Sequence, residues 1–168
     1  PTLLIGADGY NGGRAIKLRI EPDGAGGFRL LSLWHKQGTA GFAGNFVSDG
    51  QNGYWLDTGG RLWGVTLDDG DVPVGWPSHT IDLPALIGGE PAFTNTEPAV
   101  EVREDGTHLY ITLRNYGSDP KTGPGGTGKA GAVVAIGPGG QLKWYHRFGP
   151  EDAHAAPGQP AAPASVNT

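Results

Sequence analysis

Residues 131–144 read GAVVAIGPGGQLKW: an apolar run flanked by glycines, a Gly-Pro-Gly-Gly turn, then a short segment that ends at Trp144. An apolar run this short, bounded by turn signals, has the length of a buried strand rather than of a helix. The Gly-Gly pair supplies the positive φ that a tight hairpin turn needs. The stretch therefore reads as two antiparallel strands closed by a tryptophan. Upstream, residues 108–114 (HLYITLR) add another strand-like segment. Residues 99–103 (AVEVR) place Val100 and Val102 on one face against Glu101 and Arg103 on the other, the period of a half-buried strand.

The same order of parts occurs twice more. Residues 3–34 (LLIGADGYNGGRAIKLRIEPDGAGGFRLLSLW) and 53–76 (GYWLDTGGRLWGVTLDDGDVPVGW) each run apolar strand, glycine-rich turn, second apolar strand, Asp/Gly turn and a last short strand that reaches Trp34 or Trp76. A unit recurring at about 40–45 residues is the mark of a propeller blade. Trp34 and Trp76 stand 42 residues apart, Trp76 and Trp144 68. The excess has two sources, a Pro-rich connection at 77–98 and a polar loop at 115–130 (NYGSDPKTGPGGTGKA). Strands are expected at 3–7, 14–20, 28–34, 45–48, 53–57, 61–67, 72–76, 99–103, 108–114, 132–136 and 142–148. Asp-Gly or Gly-Gly pairs at 8–9, 23–24, 49–50, 59–60, 69–70, 105–106 and 139–140 mark the hairpin turns between them. No segment carries a helical period, so helix content is expected to be close to nil.

Composition agrees. The 168 residues hold 31 Gly and 14 Pro with only 17% charged side chains, an all-β, turn-rich balance. Net charge is −5 with no basic stripe, which argues against a phosphate-backbone partner. Cysteine is absent, removing disulfides, thiolate metal sites and Cys nucleophiles together. No apolar run approaches the ~18–20 residues of a membrane span. The chain begins at Pro1 and holds no methionine; the expectation is a piece of a longer chain or a processed, exported bacterial product (periplasmic, secreted or cell-surface).

The repeated pattern resembles the pyrroloquinoline-quinone-like (PQQ-like) repeat. The match rests on Gly131-Ala132-Val133-Val134-Ala135-Ile136 with Gly139, Gly140 and Trp144, on Asp105-Gly106 with Leu109-Tyr110-Ile111, and on Arg61-Leu62-Trp63-Gly64-Val65 with Asp69-Gly70 and Trp76. Arg14-Ala15-Ile16-Lys17-Leu18 with Trp34 matches more loosely. The resemblance covers residues 3–148 and implies a β-propeller. Family propellers have six to eight blades, so it also implies that other chains or missing blades complete the ring. Some members are quinone-dependent dehydrogenases with PQQ and calcium, an aspartate base and often adjacent cysteines; others are scaffolds without a quinone.

Candidate chemistry is weighed against structural roles. At equivalent places in the repeat, Trp34, Trp76 and Trp144 read as side chains that lock neighbouring blades, each burying area worth on the order of 2–3 kcal/mol. Trp55 and Trp63 lie off that position and are freer to line a surface, although packing is favoured for them too. Asp68-Asp69-Gly70-Asp71 and Asp8-Gly9-Tyr10-Asn11 fail the spacing of a calcium loop and fall on turns. His35, His79, His108, His146 and His154 show no metal-ligand spacing. Residues 123–129 have the composition of a phosphate loop, yet Ala130 follows Lys129 where Ser or Thr is required. Binding residues concentrate on loops carried by rigid scaffolds. The inserted loop is accordingly the favoured place for function, with Arg114, Asn115, Tyr116, Lys121 and Lys129 as candidates.

The resulting expectation is an all-β, β-propeller fragment of about three four-stranded antiparallel blades, the ring not closed by this chain alone. Residues 1–149 would carry the blades, divided into an incomplete blade at 1–34, a blade at 45–76 and a blade at 99–148 with the loop 115–130 inserted. Residues 150–168 would form a Pro/Ala-rich tail or a linker to a next blade. The function expected is a non-catalytic scaffold or protein-binding module with no cofactor and no metal. The alternative is part of a quinone-dependent dehydrogenase, with PQQ and calcium.

Overall fold

Antiparallel pairing of sequence neighbours organises the chain into three small sheets. The structure, a computed structural model, describes residues 2–7, 13–39, 46–57, 60–87, 98–114 and 131–148. Sheet 1 has the order β1 (Thr2–Ala7), β2 (Gly13–Pro22), β3 (Phe28–Thr39). Sheet 2 runs β4 (Val47–Ser48), β5 (Asn52–Leu56), β6 (Arg61–Thr66), β7 (Thr80–Asp82). Sheet 3 runs β8 (Ala99–Arg103), β9 (Gly106–Arg114), β10 (Gly131–Ile136), β11 (Leu142–Phe148). The all-β class and the antiparallel pairing are as expected, and none of the sheets closes on itself.

At each expected turn pair whose glycine is described, that glycine has positive φ. One expected strand is absent. Residues 72–76 form a turn, with Trp76 N–H donating to Pro73 O at 3.0 Å, and the fourth strand of sheet 2 is Thr80–Asp82 instead. Pro73 has no N–H for a ladder and Gly75 has φ +85°, so this segment cannot run extended. The chain then makes one helical turn, α1 (Leu83–Leu86), capped by Asp82 Oδ1 accepting from Ala85 N at 2.9 Å.

Strand alternation decides how the sheets stack. Tyr54 faces Gly64 across β5–β6, Leu56 faces Leu62, and Leu62 faces Ile81, so these share one side of sheet 2. They form a single core with Leu109, Ile111, Leu113, Ala132, Val134 and Ile136 of sheet 3. The opposite side of sheet 2 carries Trp55 and Val65, which join Ala15 and Trp34 of sheet 1 in a second core. Sheet 2 is thus sandwiched, one face on sheet 1 and the other on sheet 3. Trp55 and Trp63 stack at 5.7 Å within the first of these seams, and Trp55 is fully buried. Packing, the role favoured for the pair, is where the structure puts them, with Trp63 partly buried against the cluster.

Candidate functional site: the seams between sheets and the groove at Asp49

Two of the three repeat tryptophans cross a seam. Trp34 pairs with Lys17 while Ser32 pairs with Leu18, leaving Leu33 as the extra residue of a bulge. A bulge re-aims the side chain beside it, and here the indole is turned onto sheet 2. A Cβ added at Gly70, whose φ is +76°, would stand 2.9 Å from Trp34 Cδ2. Trp34 Nε1 donates to Leu67 O at 3.2 Å, and Lys17 Nζ donates to the same carbonyl. Lys36 Nζ meets Asp71 Oδ1 at 3.3 Å. The Thr66–Asp71 turn is therefore a seat for sheet 1, with Asp69 accepting from Thr66 Oγ1 and from Asp71 N.

Trp76 makes the corresponding contact one seam further on. A Cβ at Gly140, φ +80°, would lie 3.3 Å from Trp76 Cγ and 2.9 Å from Ile81 Cδ1, and one at Gly75 would meet Gly139 Cα at 2.9 Å. Below the indole lies Gly64, where a Cβ would come within 2.8 Å of Cζ3. Tyr54, opposite Gly64 in the ladder, has its ring 5.7 Å from that of Trp76. Both seams therefore set a tryptophan on a positive-φ glycine in the turn of the next sheet.

Trp144 repeats the donor half alone. It pairs with Ala135 while Leu142 pairs with Ile136, so Lys143 is the extra residue, as Leu33 is beside Trp34. Tyr110 lies opposite Ala135, with its ring 6.2 Å from the indole. Trp144 is 50% exposed against 9% for Trp34. Beside it, Arg103 Nη2 donates to Glu101 Oε2 at 2.6 Å and to the Tyr110 hydroxyl at 2.9 Å, and that hydroxyl donates to Glu101 at 2.8 Å. The Arg103 hydrogen bond, then that of Tyr110, holds the Glu101 carboxyl below its ordinary range. His108 and Asp105 pair at 2.9 Å, which lowers the Asp105 carboxyl as well.

A groove of about 460 Å³ opens where the turns of sheets 2 and 3 meet, lined among others by Asp49, Tyr54, Trp76, Thr107 and Pro138. Asp49 Oδ1 accepts from Gln51 N and Asn52 N at 2.9 and 2.6 Å. Its Oδ2 accepts from Asn52 Nδ2, Tyr54 OH and, across the seam, Thr107 Oγ1 at 3.2, 2.9 and 2.7 Å. Burial alone would raise this carboxyl, but the bonds from Thr107, Asn52 and Gln51 outweigh it and bring it down to about 2. Burial, then the bond to Asp49, pushes the Tyr54 phenol up, so it remains a donor. A carboxylate that acidic is a weak base near neutral pH; its geometry is that of a cross-link between sheets. Asp57 plays the same part within sheet 2. It is fully buried and accepts from Arg61 N at 2.9 Å and Trp63 Nε1 at 3.0 Å.

Of the residues singled out in the inserted loop, Arg114 ends β9, and Asn115, Tyr116, Lys121 and Lys129 lie outside the described residues. His79 Nδ1 sits 3.1 Å from Gly64 O, a structural contact, and His154 also lies outside the described residues. Among the described residues no three His, Cys, Asp or Glu side chains gather where they could hold a metal ion. Asp49 belongs to an expected Asp-Gly turn pair, and neither Tyr54 nor Thr107 falls in a motif of the sequence. The signal available for Tyr54 was its place opposite Gly64, matched by Tyr110 opposite Ala135. Compared with known proteins, the chain matches no family model and no curated protein.

Proposed function

We propose that this chain is a non-catalytic β-propeller scaffold or protein-binding module, its three sheets serving as successive blades of a ring completed by other sheets. The observation that carries the reading is the repeated seam: Trp34 on Gly70 and Trp76 on Gly140, one sheet apart. Propeller blades stack in this one-directional way, each contacting only its neighbours. The polar groups at the seams serve structure rather than chemistry. Asp49 receives five hydrogen bonds and spans sheets 2 and 3. Asp69 and Asp71 are engaged by Thr66 and Lys36. Partners would be met by turns and loops on the rigid stack, the groove at Asp49 and the loop 115–130 foremost.

The test is titration of the chain with PQQ and calcium, followed by absorbance and by thermal unfolding. A scaffold gives no saturable change and no ligand-dependent gain in stability. Saturable binding would instead assign the chain to a quinone-dependent dehydrogenase.

A further inference from the structure

Among the described residues, the outer faces of sheets 1 and 3 present complementary halves of one seam. Sheet 1 meets sheet 2 through the side that bears Ala15, Lys17 and Trp34. Strand alternation puts Ile16, Leu18 and Ile20 on the opposite side. Register adds Leu3 across from Leu18, Leu30 across from Ile20, and Phe28 across from Pro22. Leu3, Leu30 and Phe28 are 45%, 61% and 76% exposed, and none of these six apolar residues belongs to either core cluster. A sheet with one buried side ordinarily turns polar side chains outward. Here the outward side carries these aliphatic residues, with Ser32 and His35 across from Leu18 and Ile16, and such a patch marks an interaction surface.

Sheets 2 and 3 show what covers a face of this kind. Trp55, Trp63 and Val65 of sheet 2 lie under the tryptophan-bearing face of sheet 1. Leu109, Ile111, Val134 and Ile136 of sheet 3 lie under the face of sheet 2 that carries Tyr54 and Trp76. The matching tryptophan-bearing face of sheet 3 holds Trp144, half exposed and beside the same kind of bulge as Trp34, with the partly buried Tyr110 next to it. Gly24 and Gly26, in the β2–β3 turn that corresponds to the seats at Gly70 and Gly140, have positive φ and, among the described residues, open space around them.

We infer that the Trp144–Tyr110 face of sheet 3 binds the Ile16–Leu18–Ile20–Leu30 face of sheet 1 in a second copy of this chain, head to tail. The inference rests on the scaffold reading and names its partner. Continuity with the two seams inside the chain is the ground for it. A three-stranded face of this length offers roughly 400 Å² of footprint, and a two-copy ring uses two such faces, about the 800 Å² per partner of a stable complex. A heterologous contact of this kind closes a ring or propagates, as geometry dictates.

Sedimentation of the full 168-residue chain across micromolar concentrations tests it, beside Trp144→Lys and Leu30→Lys, each at an exposed position. The wild type should associate into species of two or more copies. Each variant alone should weaken association by about 30-fold or more with unchanged far-ultraviolet circular dichroism. Mixing the two variants should restore a dimer, because one intact pair of faces remains between them; a symmetric contact through a single face would not be rescued. A wild type that stays a single chain throughout, or variants that associate as the wild type does, would overturn the inference. The scaffold reading fails separately, on stability: if Trp34→Ala and Trp76→Ala left unfolding unchanged, the seams themselves would be in error.

Discussion

The seam between sheets 1 and 2 and the seam between sheets 2 and 3 share a lock and differ in everything around it. The first is aromatic and charged at its margin. Trp34, Trp55 and Trp63 fill it, and Lys17 and Lys36 tie it to the Thr66–Asp71 turn. The second is aliphatic, built of Leu56, Leu62, Ile111, Val134 and Ile136, with one buried-edge cross-bond from Thr107 to Asp49. What the two keep in common is a tryptophan seated on a positive-φ glycine. The repeat therefore resides in a docking contact, while the filling is free to vary so long as volume is conserved.

Removing the lock should have the largest effect. Trp76→Ala is expected to destabilise by about 3–5 kcal/mol, the range for emptying a large aromatic site, and Trp34→Ala by nearly as much, both read by denaturant unfolding. Hydrogen exchange should separate the seams: the first variant exposes β9 and β10, the second β2 and β3. Equal exposure of all three sheets would show that the seams are not distinct.

Altering the seat should come next. Gly70→Ala and Gly140→Ala each place a Cβ at positive φ, about 1–2 kcal/mol against an L-residue, and crowd a neighbour at 2.9 Å. A loss of about 2–3 kcal/mol is expected at both, measured in the same way. A neutral result at either would remove that seam from the comparison.

The cross-bond belongs to the second seam alone and should give it a pH dependence. The Asp49 carboxyl lies at about 2 in the folded chain against an ordinary 3.8, so the folded state favours the ionised form. Its contribution is present above the ordinary value and is lost as pH falls through about 2, on the order of 1 kcal/mol after solvent screening. Thr107→Val should cost about 1–2 kcal/mol at neutral pH and move the acid loss of stability upward. Unfolding free energies from pH 5 to 1.5 check both. The smallest effect falls at the margin of the first seam, where Lys36→Ala breaks a partly exposed pair and should cost at most about 0.5 kcal/mol.

Much of this was legible in the sequence because the strands are short, apolar and punctuated by glycine. β8, β10 and β11 fall within a residue or so of their expected limits, since alternation and turn pairs agree there. Residues 72–76 misled because Val72, Val74 and Trp76 alternate as a strand does, while Pro73 and Gly75 deny the segment its ladder. Trp76 thus reaches its seat from a turn and Trp34 from a bulged strand, so equal places in the repeat conceal unequal backbones. The bulges at Leu33 and Lys143 leave no mark in composition; they follow from strand pairing. Asp49 was hidden for a related reason. An Asp-Gly pair explains itself locally, and its partner Thr107 lies 58 residues away.

The most direct measurement is a double-mutant cycle at each seam, pairing Trp34→Ala with Gly70→Ala and Trp76→Ala with Gly140→Ala. With the indole gone, the methyl added at Gly70 keeps beside it only the flexible end of Lys36, whereas the one added at Gly140 still meets Ile81 Cδ1 at 2.9 Å and is relieved in part. A coupling energy of about 1–2 kcal/mol is expected at the first seam and a smaller one, about 0.5–1 kcal/mol, at the second. Costs that simply add at either would show that its tryptophan is not seated on that glycine, and would contradict a shared lock.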